Sequence, residues 1–133
     1  MNETVSKPVP VPSALSAPYW DGLRAGELRL QICADCGQAR HYPRLLCSHC
    51  YSRAHRWEPA SGRGLIHSYT VAHYAYHPAF AGELPYTLVT VDLAEGVRAL
   101  GRWLGDGPPV FGAAVALEIQ PGAGAPAIAF RPA

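Results

Sequence analysis

The chain has 133 residues, 49% of them hydrophobic and 16% charged, and a formal net charge of +1. A chain of this size can bury a core as one compact domain, and its near-neutral charge disfavours a nonspecific nucleic-acid binder, which usually carries a strong basic excess. No segment resembles a signal peptide or a membrane span, so the sequence predicts a cytoplasmic protein whose thiols stay reduced.

Three regions are predicted along the chain. Residues 1–17 are expected to form a flexible, proline-rich arm, because prolines alternate with valines there and supply no core. Residues 18–60 are expected to hold a short helix and a metal-binding loop, and residues 61–133 are expected to form a β-domain.

The stretch after the arm, PYWDGLRAGE, predicts a short helix with Pro18 in its first turn and Gly26 near its end. Tyr19, Trp20 and Leu23 fall at helical spacing and share one face. This stripe can pack on its own domain. It can also contact a partner protein, because so short a helix needs another surface to cover it. The three residues are therefore the candidate partner contacts.

The chain contains four cysteines, which form two Cys-x-x-Cys pairs within one loop. The candidate metal ligands are Cys33, Cys36, Cys47 and Cys50. Each such turn brings two sulfurs to one point, and a closed shell of four thiolates is typical of a structural metal site rather than a catalytic one. Disulfides are disfavoured in a reducing compartment. Four thiolates suit zinc or iron, and we favour zinc, because iron proteins of this kind are nearly all metal loop.

Smaller features of the loop bear on this interpretation. Gly37 directly follows the first cysteine pair, where a turn favours positive φ, whereas Tyr51 occupies the matching place after the second pair. His41 and His49 lie nearby, but four cysteines already complete the shell, so both are expected to be solvated loop residues.

The loop and the residues just after it are rich in arginine. The residues concerned are Arg40, Arg44, Arg53, Arg56 and Arg63. Four thiolates around a divalent ion keep a net negative charge, which some of these arginines can offset. The alternative is that one or two of them bind a phosphate or an acidic partner surface.

Strand patterns precede and follow the metal loop. LRLQIC alternates apolar and polar residues and predicts a strand that leads into the first cysteine pair. Four further segments predict five short strands: LIHSYTVAHY, the hairpin YTLVTVDLAEGVRALGRWL with its turn at Ala94–Gly96, AAVALEIQ, and PAIAFRP. Such a series suggests a small closed barrel, best matched by the OB fold, with an open meander or half-sandwich as the alternative.

The connection between the first two barrel strands, residues 73–86, is long and rich in aromatic residues. It can cap one end of the barrel, or it can stack a base or an adenine ring. No nucleophile motif surrounds Ser61 or Ser68, and His67 and His73 are expected to be structural histidines. The sequence therefore predicts no catalytic residue.

Several of these segments together resemble one known family. They are YWDGLRAGELRLQICADCG, YPRLLCSHCYS, WEPASGRGLIHSYTV, PYTLVTVDLAEGVRALGRW and FGAAVALEI, which cover roughly residues 18–120. The chain resembles the acyl-CoA-associated OB-fold family, whose members carry an N-terminal helix, a rubredoxin-like zinc ribbon and a C-terminal OB fold. The resemblance implies a mainly β protein with a short N-terminal helix, a zinc ribbon and a five-stranded OB barrel.

The resemblance also implies a function. Members of this family typically accompany thiolase-like enzymes, acyltransferases, steroid side-chain aldolases or enoyl-CoA hydratases. They bind and stabilise the enzyme without doing chemistry, and in some complexes they help line the CoA site. The implied role is thus a noncatalytic zinc-binding subunit with an acyl-CoA enzyme as partner and indirect contact with CoA. The alternative is a nucleic-acid-binding protein, since zinc ribbons and OB folds both bind nucleic acid elsewhere.

Overall fold

A computed structural model describes residues 6–122 and 124–133 of the chain. It contains one α-helix, α1 (Ala17–Arg24), and one 3₁₀ helix, Pro78–Glu83. The strands are β1 (Arg29–Cys33), β2 (Ala39–Arg40), β3 (His55–Pro59), β4 (Arg63–Ala72), β5 (Tyr86–Leu93), β6 (Arg98–Trp103), β7 (Ala114–Gln120) and β8 (Ala127–Pro132). The predicted arm begins at residues 1–5, which lie outside the described residues, and its flexibility stays a prediction.

Helix α1 forms where the sequence predicts it. A proline occupies its first turn, and Gly26 follows its end at φ 85°, a conformation that glycine adopts without steric cost. The amide of Gly26 donates to the Leu23 carbonyl, and the amide of Glu27 donates to the Gly22 carbonyl, which closes the last turn. Tyr19 and Leu23 are buried in the core.

The metal-binding loop is carried by a three-stranded antiparallel sheet. Strand β1 lies in its centre, with β2 on one side and β3 on the other. The predicted strand is therefore confirmed as β1. Strands β2 and β3 were not predicted from the sequence.

The five remaining strands close into a barrel in the order β4-β5-β6-β8-β7. Neighbouring strands are antiparallel except for β6 and β8, which pair in parallel. This arrangement is that of an OB fold, and it confirms the predicted five-stranded barrel over the open meander or half-sandwich. The tight turn predicted at Ala94–Gly96 is also present, with Gly96 at φ 86°.

Two of the segments that carry the family resemblance, one around Ser61 and one around Glu95, meet where the barrel begins and help to hold its strands together. A carboxylate oxygen of Glu95 accepts a hydrogen bond from the Ser61 amide at 2.8 Å. The amide of Leu117 donates to the carbonyl of Gly62, which has φ 83°. A side chain at Gly64 would meet the Asp92 carbonyl at 2.7 Å. These residues fix strand junctions, which explains the choice of glycine at two of them.

One apolar core runs through both parts of the molecule. Its members in the helix and the ribbon are Tyr19, Leu23, Leu28, Leu30 and Ile32, and its members in the barrel are Ile66, Val89, Val91, Leu93, Val97, Ala99, Val115, Ile128 and Phe130. Phe130 is fully buried, and a side chain at Gly101 would meet its ring at 2.9 Å. The ribbon is therefore packed onto the barrel through the same core that fills it.

Among residues 6–122 and 124–133, no helix has the length and apolar character that crossing a bilayer requires.

Candidate metal centre

The structure brings the four predicted ligands together. Their sulfur atoms all lie within 4.8 Å of one another. The Sγ atoms of Cys33 and Cys50 are 3.5 Å apart, and those of Cys36 and Cys47 are 3.6 Å apart. Cys33 and Cys47 are buried, while Cys36 and Cys50 are exposed, so the cluster lies at the edge of the fold.

Each cysteine pair sits on a turn, and the two turns have the same hydrogen bonds. The amide of Cys33 donates to the Gln38 carbonyl at 3.0 Å, and the amide of Cys47 donates to the Ser52 carbonyl at the same distance. The two halves of the site are therefore built alike, although their sequences differ.

Positive φ closes both turns. Gly37 has φ 78°, and Tyr51, in the matching place, has φ 63°. The amide of Gly37 donates to the Cys33 carbonyl, and the amide of Tyr51 donates to the Cys47 carbonyl, both at 2.9 Å. A bulky residue is rarely found at positive φ. The second turn thus holds its shape despite Tyr51, whose side chain points outward and is 76% exposed.

Backbone amides in these turns favour thiolate on the buried cysteines. The amide of Cys36 lies 3.5 Å from the Cys33 sulfur and, as the largest of several influences, helps lower the pKa of Cys33 to about 6. Amides of Cys50 and His49 lower the pKa of Cys47. The Ser52 amide lowers the pKa of Cys50, but the neighbouring thiols and burial outweigh it and raise that pKa to about 12. Four thiolates this close repel one another, so all four ionise together only around a cation.

The cysteine geometry fits such a cation. A tetrahedral ion with metal–sulfur bonds of about 2.3 Å separates its ligands by about 3.8 Å. The two sulfur–sulfur separations given above, 3.5 and 3.6 Å, are close to this value. A four-sulfur donor set suits a thiophilic ion such as zinc or iron, and its closed shell leaves no open position for a substrate.

The expectation of two solvated histidines is wrong for His41. His49 is exposed, but His41 is buried, and its ring centre lies 3.9 Å from that of Tyr42 and 5.7 Å from that of Tyr19. Burial, aided by the charge of Arg44, lowers the pKa of His41 to about 4, so the ring is neutral at pH 7. The reason is the path of the loop, which turns back against α1 between the cysteine pairs.

Of the five arginines around the loop, only Arg40 is buried. Its Nε donates to Oε1 of Gln31 at 2.9 Å, and its Nη2 donates to the Arg44 carbonyl at 3.1 Å. The same Gln31 oxygen accepts the Arg44 amide at 2.7 Å. Gln31 is fully buried, and sequence analysis did not single it out. A polar residue in the middle of LRLQIC was the available signal.

The helix stripe is divided by the fold. Tyr19 and Leu23 are 7% and 2% exposed and belong to the core, so little of either side chain is available to a partner. Trp20 is only partly buried, with its ring at right angles to that of Tyr19, and it borders a groove of about 310 Å³ between α1 and the barrel. Phe80 and Arg102 also line this groove.

A second groove, of about 290 Å³, shares Trp20, Phe80 and Arg102 with the first and is also lined by Lys7 and Glu83. Glu83 pairs with Lys7 at 2.7 Å and with Arg102 at 3.1 Å. Lys7 also lies over the Phe80 ring, and the Arg102 guanidinium lies 4.1 Å from the Tyr86 ring centre. Lys7 and Arg102 lower the pKa of Glu83, which keeps the carboxylate ionised. The second groove thus combines apolar surface with two cations that share one carboxylate.

Comparison with known proteins shows two consecutive family matches. Residues 20–56 match the rubredoxin-like zinc ribbon domain of ChsH2, and residues 57–120 match the C-terminal OB-fold domain of ChsH2. Together they cover residues 20–120, which hold most of α1, the whole ribbon and the barrel strands β4 to β7.

Three curated relatives align with parts of the chain. It is 36% identical over 102 residues to a probable enoyl-CoA hydratase alpha subunit of Thermomonospora curvata, which covers 77% of this chain and 31% of the relative. It is 37% identical over 99 residues to the 3-oxo-4,17-pregnadiene-20-carboxyl-CoA hydratase alpha subunit of Mycobacterium tuberculosis, covering 74% and 31%. A DUF35 domain-containing scaffold protein of Methanocaldococcus jannaschii is 31% identical over 71 residues, covering 53% and 50%. The chain spans about a third of the length of the first two relatives.

Solved structures extend the comparison to the whole fold. A chain of the Ltp2-ChsH2(DUF35) aldolase superposes with a TM-score of 0.82 at 33% identity, covering 92% of this chain and 98% of that one. A DUF35 protein of Sulfolobus solfataricus has a TM-score of 0.63 at 14% identity, covering 90% and 86%, which shows likeness of fold.

Proposed function

Because the chain belongs to the ChsH2 (DUF35) family of zinc-ribbon and OB-fold proteins, we propose that it is a noncatalytic, zinc-binding subunit that binds and stabilises an acyl-CoA enzyme. The partner is a thiolase-like enzyme in the broad sense, namely a thiolase, acyltransferase or steroid side-chain aldolase, with a hydratase as the further candidate. The protein acts in the cytoplasm, where the cysteines stay reduced and free to bind the ion.

The observation that carries this proposal is the match to the aldolase structure. The present chain covers nearly all of a chain from that complex, at an identity that supports relatedness as well as shared fold. The relative from Methanocaldococcus jannaschii is a scaffold protein, which agrees with a structural role. The two hydratase subunits are about three times longer than the matched region, so the shared part is one portion of each.

The metal centre supports a structural role for the ion. Cys33, Cys36, Cys47 and Cys50 would hold zinc as a closed four-thiolate shell. When bound, the ion stabilises the ribbon fold. The chain's own residues prepare the site, because amides of the two turns stabilise thiolate at Cys33 and Cys47.

Trp20 is the member of the helix stripe that supports a partner contact, because it keeps accessible surface beside a groove. Tyr19 and Leu23, whose side chains are buried in the core, anchor the helix that carries Trp20. Aromatic residues with partly exposed, well-supported rings are favoured anchors at interfaces. The cations Lys7 and Arg102 in the second groove, which Trp20 also lines, are suited to help line the partner's CoA site, where phosphates carry negative charge.

The experiment is co-expression of the chain with a candidate thiolase-like, aldolase or hydratase protein from the same organism. We expect a stable complex in size-exclusion chromatography, activity of the partner in that complex, and no turnover of acyl-CoA substrates by the isolated chain. Turnover by the isolated chain, free of contaminating enzyme, would refute the noncatalytic role. Binding to RNA or DNA at physiological salt, with no complex formed, would favour the nucleic-acid alternative instead.

A further inference from the structure

Arg40 is a buried cation without an acidic partner in the described part of the chain. It is 6% exposed, and no carboxylate oxygen of those residues lies within 4.0 Å of its guanidinium nitrogens. Its two hydrogen bonds go to neutral oxygens, on Gln31 and on the Arg44 backbone. Its third nitrogen, Nη1, is buried and has no hydrogen-bond partner among those residues.

Acidic residues near the ribbon are engaged elsewhere. Glu27 pairs with Arg29, and Glu58 pairs with Arg56, each at 2.7 Å. Asp35 accepts a hydrogen bond from the Ser52 hydroxyl. None of these contacts leaves a carboxylate against the guanidinium of Arg40.

A buried charge of this kind needs compensation. Removing an ion from water costs several kcal/mol even after the protein relaxes, and hydrogen bonds to neutral oxygens recover only part of that cost. The missing part has to come from a negative group close enough to act through the protein interior.

The strand register places Arg40 on the same face of the ribbon sheet as the cysteine ligand Cys33. Arg40 on β2 lies directly opposite Gln31 on β1, and Gln31 is two residues from Cys33 on the same strand. Directly opposite residues share a face of the sheet, as do residues two apart, so the three side chains leave the same face. Two strand residues span only about 7 Å along β1. A divalent ion cannot neutralise four thiolates, so the filled centre is negative.

We propose that Arg40 is the buried countercharge of the metal–thiolate centre, held in place by Gln31 and the Arg44 backbone. This inference rests on the proposed metal site and goes beyond it by assigning the charge balance to one of five arginines. In this role, Arg40 is a positioning and electrostatic residue and not a ligand. The rival explanation is that Arg40 only ties the loop at Arg44 to β1 by hydrogen bonds.

The test is the reduction potential of the full chain loaded with iron, for which the reduced site is the more negative state. Removing a nearby positive charge disfavours that state. We expect Arg40→Gln to shift the potential to a more negative value and Arg40→Lys, which keeps the charge, to stay near the parent protein. The matched control is Arg53→Gln, since Arg53 lies three residues after the ligand Cys50 but is exposed. It should leave the potential unchanged.

A second measurement uses zinc. The zinc-loaded Arg40→Gln chain should lose its ion to a chelator about 10-fold faster than the Arg40→Lys chain. An unchanged potential in a folded, iron-loaded Arg40→Gln chain would overturn the proposal while leaving the metal site intact. A parent chain that binds neither metal would overturn both.

Failure of Arg40→Gln to fold would also be informative, because Arg40→Met then replaces it as the neutral variant. If both neutral variants fail to fold and Arg40→Lys folds, the charge itself is required, which supports the proposal. If the lysine variant fails as well, the guanidinium hydrogen bonds are what matters, and the proposal is overturned.

Discussion

At the residue scale, the metal centre depends on side chains with unequal burial. Cys33 and Cys47 are buried, while Cys36 and Cys50 are exposed to solvent. A chelator can therefore reach the centre from one side, whereas the buried pair keeps the turns in place. This asymmetry makes an exposed ligand the better choice for a substitution, because replacing it disturbs the metal more than the packing.

We predict that Cys36→Ser removes most of the bound metal. A serine hydroxyl is a poor ligand for a thiophilic ion, and three thiolates no longer close the shell. Metal analysis should find about one zinc per parent chain and well under half of that in the variant. Ser48→Ala, an exposed change in the same loop, should retain the full amount. A full equivalent of zinc in Cys36→Ser would show that this cysteine is not a ligand.

His41 gives the protein a predictable sensitivity to acid. Its pKa is lowered from 6.5 to about 4 in the folded chain, so the unfolded state binds the proton more readily. The stability that the neutral ring contributes is complete above pH 6.5 and is lost as the pH falls towards 4. The loss amounts to about 3 kcal/mol at the lower end.

We therefore predict that His41→Phe flattens the stability curve between pH 6.5 and about 4. Urea unfolding of parent and variant across that interval measures the difference, and any loss of metal in acid affects both chains alike. His49→Phe, at an exposed position, should follow the parent curve. Parallel curves for the parent and His41→Phe would mean that His41 does not titrate as a buried base.

At the element scale, the sequence predicted those helices, strands and turns whose formation depends on residues close together in the chain. The alternation in β4 to β8, the glycine turn at 94–96 and the helix after Pro18 all follow from residues close in sequence. The cysteine cluster was equally predictable, because each Cys-x-x-Cys turn is a local structure and two of them supply a complete shell.

Elements defined by distant partners were missed. Strand β2 has only two residues, and β3, HRWEP, alternates partly buried and exposed residues but has Trp57 as its one large apolar residue. Both exist because β1 supplies their hydrogen-bond partners. The Gln31–Arg40 contact was missed for the same reason, since only the register places these residues opposite each other. His41 was expected to be solvated, because the contact that buries it, with Tyr19 of α1, is made only when the loop folds back on the helix.

Helix α1 allows core packing and partner binding to be separated. Leu23 is 2% exposed, so Leu23→Ala should cost about 2–5 kcal/mol of stability. Trp20 is only partly buried. We predict that Trp20→Ala lowers the thermal stability less than Leu23→Ala but reduces co-purification with the acyl-CoA enzyme, at a cost of about 2 kcal/mol of binding or more.

The matched control for Trp20 is Tyr76→Ala, since Tyr76 is 94% exposed on the loop before the 3₁₀ helix. It should leave both stability and co-purification unchanged. A Trp20→Ala chain that loses stability but still binds its partner would assign Trp20 to the core alone, and the interface assignment would then be withdrawn.

At the scale of the whole molecule, the ribbon and the barrel are stabilised in different ways, but they share one apolar core. The ribbon sheet has few residues, and small domains of this kind commonly rely on a metal for their stability. The barrel closes on itself through strand pairing. Leu28, Leu30 and Ile32 from the ribbon join Phe130 and Val115 from the barrel in a single apolar cluster. A change in the stability of either part therefore affects the stability of the other through these contacts.

This continuity predicts that metal and barrel stabilise each other. Removing the ion with a chelator should lower the melting temperature of the entire chain in one transition, because unfolding the ribbon exposes apolar residues that cover the barrel.

The converse test is Phe130→Ala, which removes a fully buried ring from the barrel and should cost about 3–5 kcal/mol. Since folding and metal binding are linked, that variant should also release zinc faster, although Phe130 lies in β8 and the ligands lie in the ribbon. Calorimetry and chelator kinetics measure the two effects. Two separate melting transitions, with only the first moved by the chelator and zinc release unchanged in Phe130→Ala, would show that ribbon and barrel unfold independently.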